Sequence, residues 1–221
     1  MQKGRIITVE GTDGTGKKTQ TEILVNKANS EGYPVHTLSF PDYESKWGKK
    51  VRQYLKGELG SIRKEDISLV SWLYALDREE KKLTIEYLLE EGSNIILDRY
   101  MESNFAHQGA KLDGEQRKNL IDGLKNLETK ILEIPSSDIV IFLDLPVEHS
   151  LEAMKKRREF DIHESDKNHL NNAYETYKML ALQDNWITIP CLNKDGQRYR
   201  KEELSKIIWN AAEPYLVNRK K

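Results

Sequence analysis

Cysteine is almost missing from this sequence of 221 residues, in which Cys191 stands alone. A single cysteine excludes an internal disulfide framework and a metal cluster held by several thiolates. Long hydrophobic runs are missing as well, because no stretch approaches the roughly 20 residues of a transmembrane helix. The apolar stretch Ile6–Val9 near the N-terminus is too short for the core of a signal peptide. We therefore expect a cytoplasmic protein with no membrane partner.

Neither sign of charge is in excess, because 35 lysine and arginine residues balance 36 aspartate and glutamate residues. A net charge of −1 lacks the imbalance that keeps many chains unfolded, and the chain is long enough to bury a core. It also lacks the general basic field of a protein that coats a nucleic-acid polymer. Repeats and proline- or serine-rich linkers are missing too, so the sequence predicts one domain over residues 1–221.

Five short apolar runs, rich in β-branched residues and bounded by turn residues, recur at wide spacing along the chain. Runs of this kind suit strands that are buried on both faces of a parallel sheet. Longer segments of helix-forming composition separate them, and this alternation predicts an α/β fold, a doubly wound five-stranded parallel sheet with helices on both faces. The predicted strands cover residues 6–9, 35–38, 94–97, 138–143 and 186–189, and the predicted helices cover 19–31, 66–91, 115–133, 147–158, 167–184 and 201–215.

A glycine-rich loop follows the first predicted strand and fits the spacing G-x-x-x-x-G-K of a phosphate-binding loop. Its glycines let successive backbone N–H groups point at phosphate oxygens, and the next helix adds the positive end of its dipole. Lys17 is then placed to contact the terminal phosphates of a nucleoside triphosphate. The residues predicted to bind ATP here are Gly11, Thr12, Asp13, Gly14, Thr15, Gly16, Lys17, Lys18 and Thr19.

Lys18 departs from the usual motif, in which a serine or threonine at this position binds Mg²⁺. The hydroxyl of Thr19 lies about 100° further round the helix and does not simply replace it. Three interpretations stay open. Mg²⁺ is held through water and acidic residues elsewhere, the second ammonium replaces part of the metal charge, or Lys18 faces solvent.

Four motifs at predicted strand ends and on the helix between two strands carry a family resemblance. They are Glu10-Gly11-Thr12-Asp13, Phe40-Pro41-Asp42, Tyr74-Ala75-Leu76-Asp77-Arg78 and Asp98-Arg99-Tyr100 followed by Ser103-Asn104. In this order, and over residues 6–209, the chain resembles the thymidylate kinases, a family of P-loop nucleoside monophosphate kinases. The resemblance implies transfer of the ATP γ-phosphate to dTMP with Mg²⁺ as cofactor and no covalent enzyme intermediate. It also implies a homodimer, whose interface the long predicted helix 66–91 could supply.

The resemblance also assigns roles on the acceptor side. Arg99 clamps the acceptor phosphate, a task that suits a guanidinium fork, and Asp98 holds the water shell of Mg²⁺ or orients the acceptor. Tyr74 stacks on thymine, Arg78 hydrogen-bonds a base carbonyl, and Asp13 reads the sugar 3′-hydroxyl. The remaining residues expected to line the dTMP pocket are Phe40, Pro41, Leu55, Ser103, Asn104, His107 and Gln108, with a cis peptide bond expected between Phe40 and Pro41.

Two positions on the acceptor side depart from the family pattern. His107 stands where an aromatic residue, often tyrosine, is usual, and Tyr43 stands where many relatives have an arginine. Arg52 or Lys49 could supply the missing donor. A kinase of the same fold acting on another nucleotide, or on a deoxynucleoside, therefore stays open. The substitution at Lys18 keeps a further alternative open, a nucleotide-binding regulatory protein with weak catalysis.

The basic cluster Lys155–Arg158 precedes a short polar segment between two predicted helices, where monophosphate kinases carry a mobile lid. We expect the lid over residues 155–167. The phosphate loop has no arginine at its middle, and in this it resembles the subgroup of the family that supplies a catalytic arginine from the lid. By this resemblance, Arg157 or Arg158 is the candidate arginine finger. Glu164 is expected to contact Mg²⁺ through water, as are Asp13 and Asp98. By resemblance, Cys191 and Asn193 pack around adenine.

Overall fold

Five parallel strands lie at the centre of the computed structural model, which describes residues 2–59, 66–154 and 166–220. Their order across the sheet is β2-β3-β1-β4-β5, and every neighbouring pair is parallel. This order confirms the predicted doubly wound α/β class. The strands are β1 (Ile6–Glu10), β2 (Val35–Ser39), β3 (Asn94–Asp98), β4 (Ile139–Asp144) and β5 (Trp186–Pro190).

Helices cover both faces of the sheet. Over the described ranges they are α1 (Lys17–Ser30), α2 (Lys46–Leu55), α3 (Ile67–Glu79), α4 (Lys82–Glu90), α5 (Met101–Gly109), α6 (Gly114–Asn126), α7 (Val147–Met154), α8 (Lys167–Leu180) and α9 (Lys201–Ala212). A π-helical segment, Leu127–Ile131, continues α6, and a 3₁₀ turn, Glu213–Tyr215, follows α9. Among these described helices, none is both long enough and apolar enough to span a bilayer.

Side-chain alternation along the central strands explains why both faces are covered. Every residue of β1 is buried, with Ile6 in the core cluster beneath α5, α6 and α8 and Ile7 in the cluster beneath α1 and α9. Ile95 and Ile96 of β3 divide between the two clusters in the same way. Strands buried on both faces have no polar side to turn toward water, which is why they read as continuous apolar runs.

The prediction of one continuous helix over residues 66–91 is wrong. The structure divides it into α3 and α4, with a turn at Glu80 and Lys81. After the turn, Ile85 and Leu89 of α4 pack in the same core cluster as Ala75 of α3. Burial of these side chains outweighs the helix-forming composition of the turn, which contains neither glycine nor proline.

Candidate active site

The phosphate loop joins the end of β1 to the start of α1 at the carboxyl edge of the sheet. Gly14 and Gly16 have φ angles of 82° and 96°, a left-handed conformation that glycine adopts without a steric penalty. Gly16 is the N-cap residue of α1, so the loop closes directly onto the positive end of the helix dipole. The sequence therefore folds here into the anion cradle that its spacing predicts.

Two cations hold the loop through its carbonyl groups. The Lys17 ammonium donates to the carbonyl of Thr12 at 2.7 Å. Arg198, 184 residues from Gly14, donates to the carbonyls of Gly14 and Thr15 at 2.9 and 2.7 Å. Because these cations bind carbonyl groups, they support the loop without occupying its N–H groups.

Lys17 and Lys18 lie in different environments although they are neighbours. The Lys17 side chain is buried, whereas Lys18 and Thr19 are exposed on α1. The exposure of Lys18 favours the interpretation that its ammonium faces solvent. The part of the chain that the structure describes contains no group of three or more carboxylate, histidine or cysteine side chains suited to a metal ion.

Arg99 is the centre of a polar cluster beside the loop. Its φ angle of 65° is unusual for a residue with a side chain and costs about 1 kcal/mol. The guanidinium forms an ion pair with Asp13 and donates to Ser103 at 3.0 Å, to the Tyr177 hydroxyl at 3.3 Å and to the Gly11 carbonyl at 3.4 Å. This strained backbone position and these contacts fix the guanidinium next to the phosphate loop.

The charges in this cluster shift one another's pKa values. Burial, followed by the nearby positive charge of Arg99, lowers the pKa of Lys17 to about 8, although Asp13 opposes the shift. Burial alone would raise the pKa of Asp13, but Arg99 and Lys17 outweigh burial and hold that pKa well below its usual range. The site therefore keeps an ionised carboxylate between two cations.

Glu10 connects the polar cluster to three elements. This fully buried carboxylate accepts from the Tyr100 backbone N–H at 2.9 Å, from the Ser103 hydroxyl at 2.8 Å and from the Tyr177 hydroxyl at 2.8 Å. Tyr100 and Ser103 belong to the turn after β3 and to α5, whereas Tyr177 belongs to α8. Glu10 thus positions the turn that carries Arg99 against both β1 and α8.

A cleft with a cavity volume of about 190 Å³ lies beside Arg99, and Asp13 of the loop forms part of its wall. Its walls contain every residue predicted for the acceptor pocket, together with Tyr43 and Tyr100. The structure therefore brings together Asp13, Phe40, Pro41, Leu55, Tyr74, Arg78, Arg99, Ser103, Asn104, His107 and Gln108. The peptide bond between Phe40 and Pro41 is cis, as predicted.

Arg78 lines the cleft while it is held by Glu128 from the π-helical segment. Nε and Nη2 of Arg78 donate to the two carboxylate oxygens of Glu128, each at 2.6 Å, and both side chains are almost fully buried. Five N–H donors are available on a guanidinium, so this bidentate pair leaves others for a ligand. Glu128 also accepts from the Asn104 amide at 3.0 Å.

Two amide oxygens in the cleft are buried without a hydrogen-bond partner. They are Oδ1 of Asn104 and Oε1 of Gln108, and both residues line the cleft. A buried acceptor without a partner carries a desolvation cost of roughly 1–3 kcal/mol. A ligand with N–H donors would remove that cost, as the edge of a nucleobase does.

The two positions that depart from the family pattern both line the cleft. Nε2 of His107 lies 3.4 Å from Nη1 of Arg99, and Nδ1 of His107 lies 3.5 Å from Nε2 of His169 on α8. The Arg52 guanidinium lies 4.9 Å from the centre of the Tyr43 ring and also forms an ion pair with Glu44. Arg52, one of the two replacement donors considered, thus contacts Tyr43.

Several predicted site residues lie away from these clusters or outside the described residues. Arg157, Arg158 and Glu164 fall in the segment that the structure does not describe. The side chain of Cys191 is fully buried in the core beneath α1 and α9 and burial raises its pKa to about 12, which fits a packing residue. Asn193 accepts from two backbone N–H groups of its own loop.

Sequence reasoning assigned no role to Glu10, Glu128, Tyr177 or Arg198. Glu128 carried a detectable signal, because it falls four residues after Leu124 and seven after Ile121 on the apolar stripe of a predicted helix. A carboxylate on such a stripe needs a buried cation as partner. For Arg198 and Tyr177 no comparable local signal exists, since the hydrogen-bond partners of the Tyr177 hydroxyl are at least 74 residues away and those of the Arg198 guanidinium at least 183.

A phosphate cradle on one side of a clamped arginine and a base-sized cleft on the other is the arrangement of a P-loop nucleotide kinase. Comparison with known proteins identifies the family. Residues 9–198 match the family model described as thymidylate kinase. The chain belongs to the thymidylate kinase family, whose members are ATP-dependent phosphotransferases.

Individual relatives agree with this assignment. The chain is 35% identical over 161 residues to a thymidylate kinase from Leptospira borgpetersenii, which covers 72% of each sequence. It is 30% identical over 195 residues to a thymidylate kinase from Plasmodium falciparum, which covers 87% of this chain and 85% of the relative. A solved thymidylate kinase structure from Candida albicans has the same fold, with a TM-score of 0.77, 24% identity and coverage of 98% and 96%.

Proposed function

We propose that the protein transfers the γ-phosphate of ATP to dTMP and releases ADP and dTDP. The observation that carries this proposal is the pair of partnerless amide oxygens in the cleft, on Asn104 and Gln108, beside the buried donor Arg78. Thymine offers one N–H donor between two carbonyl acceptors, so its N–H can satisfy one of these oxygens while a neighbouring carbonyl accepts from Arg78. Arg99, between this cleft and the phosphate loop, supports a phosphate on the same ligand.

The remaining acceptor residues take roles that follow from their positions. Tyr74 provides a ring against the base, and Phe40, Pro41 and Leu55 provide apolar walls. The ion pairs of Asp13 with Arg99 and Lys17 use Oδ1, so we assign Oδ2 to the sugar 3′-hydroxyl. On the donor side, the loop N–H groups and Lys17 hold the ATP phosphates, and the loop at Asn193 adjoins adenine.

Catalysis in this proposal consists of positioning and charge stabilisation. Lys17 and one lid arginine, Arg157 or Arg158, stabilise the moving phosphoryl group, and Arg99 holds the acceptor phosphate. We place the lid over residues 155–167.

The residues present fit Mg²⁺ held by nucleotide phosphates and water. Mg²⁺ keeps several waters in proteins and needs only one or two carboxylates. The half-buried Asp98 ends β3 near Lys17 and Arg99, and we assign it, with Asp13 and Glu164, to the metal's water shell. When bound, the metal would neutralise charge on the phosphates.

We further propose a cytoplasmic homodimer that associates through α3 and α4. Leu69 and Trp72 of α3 are 47% and 42% exposed, and Leu83 and Tyr87 of α4 are 77% and 63% exposed. Large exposed apolar side chains on neighbouring helices are typical of a face that another protein covers.

An acceptor panel tests the proposed substrate. With ATP and Mg²⁺, we expect dTMP to have the highest kcat/KM among dTMP, dUMP, dGMP and thymidine, measured by coupled ADP release. Thymidine serves as the matched control, because it keeps the base and sugar but lacks the phosphate that Arg99 is assigned to hold. A higher value for thymidine, or for another monophosphate, would overturn dTMP as the substrate.

The lowered pKa of Lys17 predicts a pH dependence. In the enzyme without nucleotide, Lys17 is charged below pH about 8 and loses its charge above it. We therefore expect kcat/KM for ATP to fall as the pH rises through about 8, since this ratio reports on the free enzyme. The Lys17→Arg variant is the control, because its guanidinium keeps its charge over this pH range. Any effect of the titration of ATP itself is the same for both proteins. Parallel profiles for both proteins would contradict the assignment.

A further inference from the structure

A second cavity, of about 210 Å³, lies on the other face of α5 from the acceptor cleft. Met101, Glu102 and Phe105 of α5 line it, whereas Ser103, Asn104, His107 and Gln108 of the same helix line the acceptor cleft. The two cavities share no lining residue among those described. The second cavity is therefore separate from the site assigned to the two nucleotides.

Glu102 is the distinctive group in this cavity. Its side chain is 6% exposed, and its Oε2 is buried without a hydrogen-bond partner. A buried carboxyl oxygen in this condition is costly, and native proteins rarely keep one without a reason. When the carboxyl is ionised, the missing partner is a hydrogen-bond donor, which a ligand can bring.

Several other polar groups of the cavity have hydrogen-bond partners within the protein. The Lys125 ammonium donates to the Gln183 side chain at 2.8 Å, and the Asn185 amide donates to the Ser137 carbonyl at 3.3 Å. The Ser137 hydroxyl lies 2.8 Å from the hydroxyl of Thr8. Glu102 is thus the lining residue whose buried side-chain atom is left without a partner.

The charges and the aromatic walls of this cavity limit which kind of hydrogen-bond donor can bind to Glu102. Glu10 and Glu128 face Glu102 from β1 and from the π-helical segment, and their negative charges disfavour a further anion there. Lys125 on α6 is the positive side chain that lines the cavity, and Phe105 and Trp186 give it aromatic walls. Aromatic faces and carboxylates both attract a flat cation.

We propose that this cavity is a ligand site for a small planar organic cation of the amidinium or guanidinium class, bound through Glu102. The N–H groups of such a cation donate to the carboxylate, with Oε2 as one acceptor, while its flat body packs against Phe105 and Trp186. The acceptor cleft stays free for dTMP when this site is filled.

Benzamidine is the probe that tests the site, because it combines an amidinium group with a flat ring. By calorimetry on the full-length protein, we expect benzamidine to bind with and without saturating dTMP. At about pH 9, where the Glu102 carboxyl is ionised, Glu102→Gln keeps the size of the side chain and should weaken this binding at least about tenfold, the effect of losing a hydrogen bond to a charged group. Lys125→Met is the matched control and should bind as well as the wild type or better, because it removes a positive charge from the wall.

The affinity for benzamidine should depend on pH through the charge of Glu102, an effect that the shape of the cavity alone would not produce. Burial, together with the negative charges of Glu10 and Glu128, raises the pKa of Glu102 to about 8, although its hydrogen bond with Ser137 acts in the opposite direction. Benzamidine must displace that proton, so its affinity should increase from about pH 7 to about pH 9 in the wild type and stay level in Glu102→Gln.

Several outcomes would overturn the proposal. They are no binding of benzamidine by the wild type, displacement of benzamidine by dTMP, or unchanged affinity in Glu102→Gln. Neutral benzamide, which has the same shape, should bind the wild type much more weakly. Equal binding of benzamide and benzamidine would also overturn it, and this comparison needs no variant.

Discussion

Replacing Lys17 by methionine is expected to lower kcat for phosphoryl transfer by roughly 10²–10³-fold, the usual effect of removing one preorganised donor from a transition state. Methionine keeps the buried stem of the side chain, which is 7% exposed, and removes only the ammonium. The bond to the Thr12 carbonyl at 2.7 Å is lost, but Arg198 still binds the carbonyls of Gly14 and Thr15. We therefore expect the loop to stay folded while the charge that faces the phosphates disappears.

Lys18→Met is the matched control for this experiment. It removes the same unit of charge one residue further along the chain, from an exposed side chain. If Lys18 only faces solvent, its kcat should stay within about twofold of the wild type, as surface substitutions usually do. Single-turnover rates with saturating ATP and dTMP measure both variants, and thermal unfolding checks that both are folded.

Comparing Lys17→Met with Lys18→Met also tests the role of Lys18, the lysine that departs from the usual motif. An equally large loss of kcat in Lys18→Met would mean that the second ammonium replaces part of the metal charge. A loss of less than about tenfold in Lys17→Met would contradict the assignment of Lys17 to the transferred phosphate.

The parts of the site that follow a strand end could be predicted, because their geometry is local. Parallel strands place their carboxyl ends at one edge of the sheet, so Asp13, Phe40 and Arg99 had to lie near one another once the strands were recognised. The acceptor residues on α3 and α5 came from the family motifs, and all of them line one cleft. The predicted fold class was confirmed for a similar reason. Strands that are buried on both faces of the sheet appear in the sequence as continuous apolar runs, and these runs can be recognised locally.

Partners that are distant in sequence could not be predicted in this way. Arg78 meets Glu128, 50 residues later, across the interior of the fold. Helix periodicity places Glu128 on the buried stripe of Ile121 and Leu124, but it does not identify the cation that Glu128 contacts. The division between α3 and α4 escaped prediction because the turn has helix-forming residues and is decided by packing of Ile85 and Leu89 on the sheet.

Replacing Glu128 by alanine is expected to lower the free energy of unfolding by about 3–5 kcal/mol, because it leaves the Arg78 guanidinium buried without its counter-charge. Arg78 is 1% exposed and Glu128 is fully buried, so water does not replace the lost partner without rearrangement. The Asn104 amide also loses its acceptor at 3.0 Å. Since small domains unfold at a cost of only about 5–15 kcal/mol, this loss is a large share of the total. Urea unfolding followed by circular dichroism measures it.

The double variant Arg78→Met, Glu128→Leu separates charge from packing. It removes both ionised groups and fills the space with apolar side chains, a change that often leaves stability unaltered or improves it. We expect its free energy of unfolding to lie well above that of Glu128→Ala, while the KM for dTMP rises because Arg78 no longer reads the base. Equal destabilisation of the two variants would mean that lost packing, rather than an uncompensated cation, limits stability here. If the double variant recovers the free energy of unfolding and its KM for dTMP is unchanged, Arg78 has a structural role only and does not read the base.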